Sequence, residues 1–142
     1  MRIMAAAPSR STDLVYPEPF IVQPASGVHN QTFVLLHGRG SNGPDFAADI
    51  LRTLIPWQGD DATLQTIFPN TKFVFLTALK RRAKAFNRSL INQWFDLWSL
   101  KEGGQEELQF EGLRESTVYL RDCLEGAVRQ VGSANVVLWG LS

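Results

Sequence analysis

Three apolar runs, each bounded by turn-forming residues, punctuate the chain: Phe33-Val34-Leu35-Leu36, Phe73-Val74-Phe75-Leu76 and Val136-Val137-Leu138-Trp139. None alternates with polar residues, the pattern of strands buried on both faces. Between the first two, Phe46, Ile50, Leu51 and Leu54 recur at helical spacing behind Pro44, a residue suited to a first helical turn. Pro56 is expected to end that helix. Before the third run, Leu113, Thr117, Leu120, Leu124, Ala127, Val128 and Val131 mark the apolar stripe of a longer helix. Gly103-Gly104 breaks the chain ahead of it and Gly132 closes it. Buried strands alternating with helices predict α/β architecture, a mostly parallel sheet flanked by helices.

Residues 1–27 hold four of the seven prolines and read as an irregular lead-in, with Phe20-Ile21-Val22 able to add a short edge strand; residues 28–142 are expected to form the domain. Apolar residues make up 44% of the 142 positions and charged ones 20%, enough for one buried core. The formal charge is zero, which removes the electrostatic case for a nucleic-acid partner or an anionic membrane surface. The basic run Lys80–Lys84, with Arg88, is read as a solvated loop offset by Glu102, Glu106 and Glu107. No apolar run approaches the length of a membrane span, so no stable membrane insertion is expected, and Ile3–Ala7 behind Arg2 is too short for a secretory signal. One cysteine, Cys123, excludes an internal disulfide and reads as a core-edge residue. A cytoplasmic location is the expectation. The two histidines, His29 and His37, have no carboxylate partners at ligand spacing, so no metal is expected.

The chemistry concentrates at the C-terminal ends of two predicted strands, where open parallel sheets place their ligands. His37-Gly38-Arg39-Gly40 follows the first run, and Gly140-Leu141-Ser142 follows the third. The latter matches the first three residues of the nucleophile elbow G-x-S-x-G, in which a strand, a sharp turn and a helix lift a serine hydroxyl out of the sheet. Glycine two places before the serine leaves room for that turn.

Leu35–Gly43, Asn92-Gln93-Trp94-Phe95-Asp96 and Leu138–Ser142 come in the order found in the phospholipase/carboxylesterase family, which includes the acyl-protein thioesterases. The chain resembles this family from about Gln31 onward. The resemblance implies the N-terminal part of an α/β-hydrolase fold with its C-terminal strands missing. It also implies no cofactor, and hydrolysis of an acyl ester or thioester through an acyl-serine intermediate. Carried over by position, Ser142 matches the nucleophile and Arg39 the residue whose backbone N–H helps form the oxyanion hole. His37, Gly38, Gly40 and Gly140 belong to the motifs, and Trp94 lies in a segment expected beside the site.

In this family the acid and base of the triad follow the serine, and nothing follows Ser142 in these 142 residues. The chain by itself is therefore expected to be inactive. Its third strand, lacking further strands beyond it, is expected to leave an apolar edge open to self-association. The rival reading takes Gly38, Gly40 and Gly43 as a G-x-G-x-x-G loop of a non-catalytic nucleotide-binding module. That fingerprint also needs an acidic residue after the second strand, where the sequence has Thr77, Ala78 and Leu79.

Overall fold

The structure, a computed structural model, describes residues 14–97 and 107–142. Trp98, Glu102, Gly103-Gly104, Glu106 and the first thirteen residues lie outside these segments. A four-stranded sheet runs β1 (Phe20–Val22), β3 (Thr71–Leu76), β2 (Gln31–Leu36), β6 (Val136–Gly140) in spatial order. Strands β2 and β3 are parallel, as are β2 and β6, while β1 joins β3 antiparallel at one edge. The sheet is thus mixed but mostly parallel.

Alternation along β2 and β3 explains why both strands are apolar from Phe33 and Phe73 onward. Phe33, Leu35, Phe73 and Phe75 face helix α1 (Gly43–Arg52) and pack with its Phe46 and Ala47. Val34 and Leu76 face the opposite way and meet Ala127 of helix α3 (Glu107–Val131), where Cys123 also packs half-buried. Burying each such large side chain contributes about 1.5–3 kcal/mol, so these two central strands carry most of the sheet's stability.

Helix α1 begins where the sequence places it. Asn42 caps it by accepting the Asp45 N–H at 2.9 Å, and Pro44 occupies its first turn. It ends at Arg52 rather than at Pro56, which instead opens a short 3₁₀ turn, so Leu54 lies beyond the helix and is exposed. A one-turn helix, α2 (Leu64–Ile67), leads into β3.

Two expectations are corrected. Lys80–Ala83 is not a loop but strand β4, paired antiparallel with β5 (Ser89–Asn92) in a separate two-stranded ribbon. Its turn passes through Asn87 and Arg88, both at positive φ. One cation of the run turns inward: Arg81 pairs with Glu115 of α3 at 2.6 Å in a mostly buried contact. The buried face of α3 follows the predicted stripe only in part: Leu120, Leu124 and Ala127 pack against the sheet as expected. Gly112, Ser116 and Ala127 are the buried positions, whereas Leu113, Thr117 and Val128 are exposed. As expected of the third strand, β6 is the other edge of the sheet among the described residues, and Val137, Leu138 and Trp139 remain 40%, 47% and 37% exposed. Val136 packs against the α3 cluster and Trp139 meets Phe46 of α1, but no strand among the described residues pairs with the outer edge of β6. No helix among the described residues is long and apolar enough to cross a membrane.

Candidate functional site

Because β2 and β6 are parallel and in register from Thr32↔Val136 to Leu36↔Gly140, their C-terminal ends open on the same side of the sheet. The two motifs are therefore brought together. The Leu141 N–H donates to Leu36 O at 3.1 Å. Gly38 lies so close to the elbow that a Cβ placed on it would sit 3.2 Å from Leu141 O and 3.7 Å from the Ser142 Cα. The Leu141 carbonyl thus leaves little room for a side chain at position 38. Gly40 is glycine for a different reason, a φ of +82°. At Gly140 a Cβ would meet only ordinary contacts with Leu36, so the steric demand expected there is not found among the described residues.

Arg39 lies between the two glycines, and the Gly38 N–H before it also finds no acceptor among the described residues. The Gly40 N–H donates to Asn92 O at 2.8 Å and the Ser41 N–H to Gly38 O at 3.2 Å. The Arg39 N–H donates to no acceptor among the described residues. An oxyanion hole needs donor N–H groups that have no internal partner. The Arg39 side chain is directed elsewhere. Its guanidinium donates to Gln93 Oε1 and to Phe95 O at 3.3 Å, and lies 5.6 Å from the centre of the Phe95 ring. Partial burial pushes its pKa down, and the Asp96 carboxylate opposes that shift.

His37 is 1% exposed and both ring nitrogens are engaged. Nε2 accepts the Ala78 N–H at 3.0 Å, so Nδ1 carries the proton and donates to Gly38 O at 2.7 Å. Burial lowers its pKa, partly offset by the bond to Gly38. The ring is a buried strut of the loop, with no nitrogen free to take a proton from a serine. His29 lies at the opposite end of β2, where its Nε2 meets Thr32 Oγ1 at 2.8 Å. Neither histidine is therefore placed to serve as a base for Ser142. Among the described residues no group of three His, Cys, Asp or Glu side chains could hold a metal ion.

The sequence pointed to Trp94 but not to the wiring around it. The Trp94 Nε1–H donates to His37 O at 2.9 Å, and Asn92 Nδ2 donates to Ser41 O at 3.0 Å. Gln93 is 1% exposed; its backbone N–H donates to Leu79 O at 3.1 Å and its Nε2 to Asp96 Oδ1 at 3.3 Å. Asp96 Oδ1 also accepts the backbone N–H groups of Lys84 and Leu97. The Asn92–Asp96 segment thus wraps the glycine loop with polar contacts. Helix α3 backs it: Ser116 Oγ donates to Trp94 O at 2.5 Å, and a Cβ on Gly112 would fall 2.8 Å from Phe95 Cα.

The mostly parallel sheet flanked by helices is α/β-hydrolase-like, and comparison with known proteins gives its family. A phospholipase/carboxylesterase family model matches residues 17–142, and the chain belongs to that family. It is similar to Zea mays acyl-protein thioesterase 2 at 28% identity and a TM-score of 0.64, covering 89% of this chain and 47% of that one. It is similar to esterase PE8 at 26% identity and a TM-score of 0.61, covering 89% and 53%. Arabidopsis thaliana SOBER1, at 22% identity and a TM-score of 0.51, covers 79% and 49% and shares the fold. No curated protein matches the chain. The chain spans about half the length of the solved structures it matches.

Proposed function

We infer that this chain carries the nucleophile, Ser142, and one oxyanion donor, the Arg39 N–H, of a serine hydrolase acting on carboxylic esters or thioesters. The observation that carries the reading is the approach of the Ser142 backbone to the Gly38 loop, beside an N–H with no internal acceptor. In that mechanism the Ser142 hydroxyl attacks the acyl carbonyl, its proton passes to a base, and the carbonyl oxygen becomes an oxyanion against the Arg39 N–H. The leaving alcohol or thiol departs with a proton, and water then releases the acid from the acyl-serine. The family and the maize thioesterase support an acyl group on oxygen or sulfur as the substrate class.

The base is the part these 142 residues do not supply, since His37 is locked and His29 is remote. Without it the hydroxyl stays a poor nucleophile at neutral pH, and losing one oxyanion donor costs a further factor of about 10²–10³. The nucleotide-binding alternative gains no support from the loop. The place of the ribose-holding carboxylate falls to Thr77, which is buried and accepts the Gly43 N–H at 2.8 Å.

The experiment compares the purified chain with a version continued past Ser142 through the C-terminal half of the maize relative. A fluorophosphonate probe and a chromogenic short-chain ester are used on both. Labelling of Ser142 and turnover are expected only in the continued version. Labelling in the 142-residue chain would refute the account of the missing base. Micromolar binding of NAD, NADP or FAD by calorimetry would overturn the hydrolase reading itself.

A further inference from the structure

A loop bordered by Gly38, Gly40 and Gly43 is conformationally permissive, and a free N–H within it readily turns toward water or another carbonyl. An oxyanion donor has to be held in place before the reaction begins. In this chain the holding comes from outside the loop. The Trp94 indole N–H binds His37 O, two residues before Arg39. On the other side, Asn92 binds the next two residues, its C=O taking the Gly40 N–H and its side chain donating to Ser41 O. Main-chain atoms on both sides of Arg39 are thereby tied, and the N–H between them is left unpaired.

We propose that Asn92 and Trp94 are positioning residues for the hydrolytic reaction, clamping Gly38–Ser41 so that the Arg39 N–H stays free for the substrate oxygen. The proposal rests on the reading of Arg39 as an oxyanion donor. The clamp has its own support: Ser116 and the close seat at Gly112 fix Trp94-Phe95 against α3, so the anchor is rigid on the side away from the loop. Such a clamp acts on the geometry of the transition state and leaves ground-state binding of the acyl chain unaffected.

Trp94→Phe keeps the ring and removes the indole N–H, and Asn92→Ala removes the bond to Ser41 O. In the 142-residue chain, each is expected to speed hydrogen exchange of the Gly40 amide about tenfold, the scale of one lost hydrogen bond. Melting temperatures are expected to stay within a few degrees of wild type. In the version continued past Ser142, kcat is expected to fall about 10- to 10²-fold at unchanged KM, the effect of misplacing a catalytic group. Unchanged exchange at Gly40 in both variants would overturn the clamp, whatever the activity. Faster exchange with unchanged kcat would leave the clamp standing as structure and overturn Arg39 as the oxyanion donor. If one variant loses its fold, the other decides the matter, and the exchange measurement needs no active enzyme.

Discussion

Gly43→Ala tests the junction that holds the site to the sheet. A Cβ at this position would lie 2.8 Å from Phe75 O and 2.9 Å from Thr77 Oγ1. Both atoms belong to the end of β3 or the residue after it, so the first turn of α1 has to retreat by about half an ångström, a displacement that typically costs about 1–3 kcal/mol. The same retreat stretches the buried bond from the Gly43 N–H to Thr77 Oγ1, now 2.8 Å, worth about 1 kcal/mol. The lower entropy of an unfolded chain with alanine returns about 0.4–1 kcal/mol. A net loss of roughly 2–3 kcal/mol remains, and at about 2–4 °C per kcal/mol for a domain of this size the midpoint falls by roughly 5–10 °C. Gly126→Ala is the matched control. It lies inside α3 with nothing within 4 Å of the added methyl. There the better helix propensity of alanine is expected to raise stability by about 1 kcal/mol. Circular dichroism melts of the two variants read the contrast. Equal midpoints, or a Gly43→Ala melt indistinguishable from wild type, would refute the steric account of the α1–β3 junction.

Acidification gives a second check. Burial holds the His37 pKa below its usual 6.5, and His29 is shifted the same way by burial and by Lys72. Below pH 6.5 the unfolded chain therefore takes up protons that the folded chain resists, so stability present above that pH is lost as pH falls. Thermal midpoints are expected to decline between about pH 6.5 and 5, with a shallower slope in His37→Gln, and a flat wild-type profile would refute the burial argument. The open edge gives a third. We expect the 142-residue chain to self-associate with rising concentration through β6, and Leu138→Lys to suppress this, as read by sedimentation velocity. A monomer at high micromolar concentration would count against it.

The central sheet was legible because β2, β3 and β6 announce themselves as unbroken apolar runs, and the meeting of the Gly38 loop with residues 141–142 because both stand directly after such runs. The ribbon β4–β5 was not, since Lys80-Arg81-Arg82 carries no apolar signal and its pairing depends on a turn through Asn87 and Arg88 in a conformation unusual for those residues. The contact face of α3 was in part misread for a related reason. Its closest approaches are made by Gly112 and Ser116, small residues that hydrophobic periodicity ignores. Leu113 and Val128, which do weigh in that count, face outward. Gln93 illustrates a further limit. Its burial is tolerable only because Arg39 and Asp96 answer its carboxamide, and the Arg39 partner lies 54 positions away in the chain.

The parallel pairing of β2 with β6 also fixes when, and not only where, the site comes into being. Leu36 and Gly140 are neighbours in the sheet but about a hundred residues apart along the chain. Closing so long a loop is entropically expensive, and contacts of that separation form late in folding. The β1–β3–β2 layer and α1 can assemble from nearer segments, with the Gly38 loop already shaped while Ser142 is still elsewhere. The arrival of β6 then brings the Ser142 backbone against the Gly38 loop, the approach on which the proposed site depends.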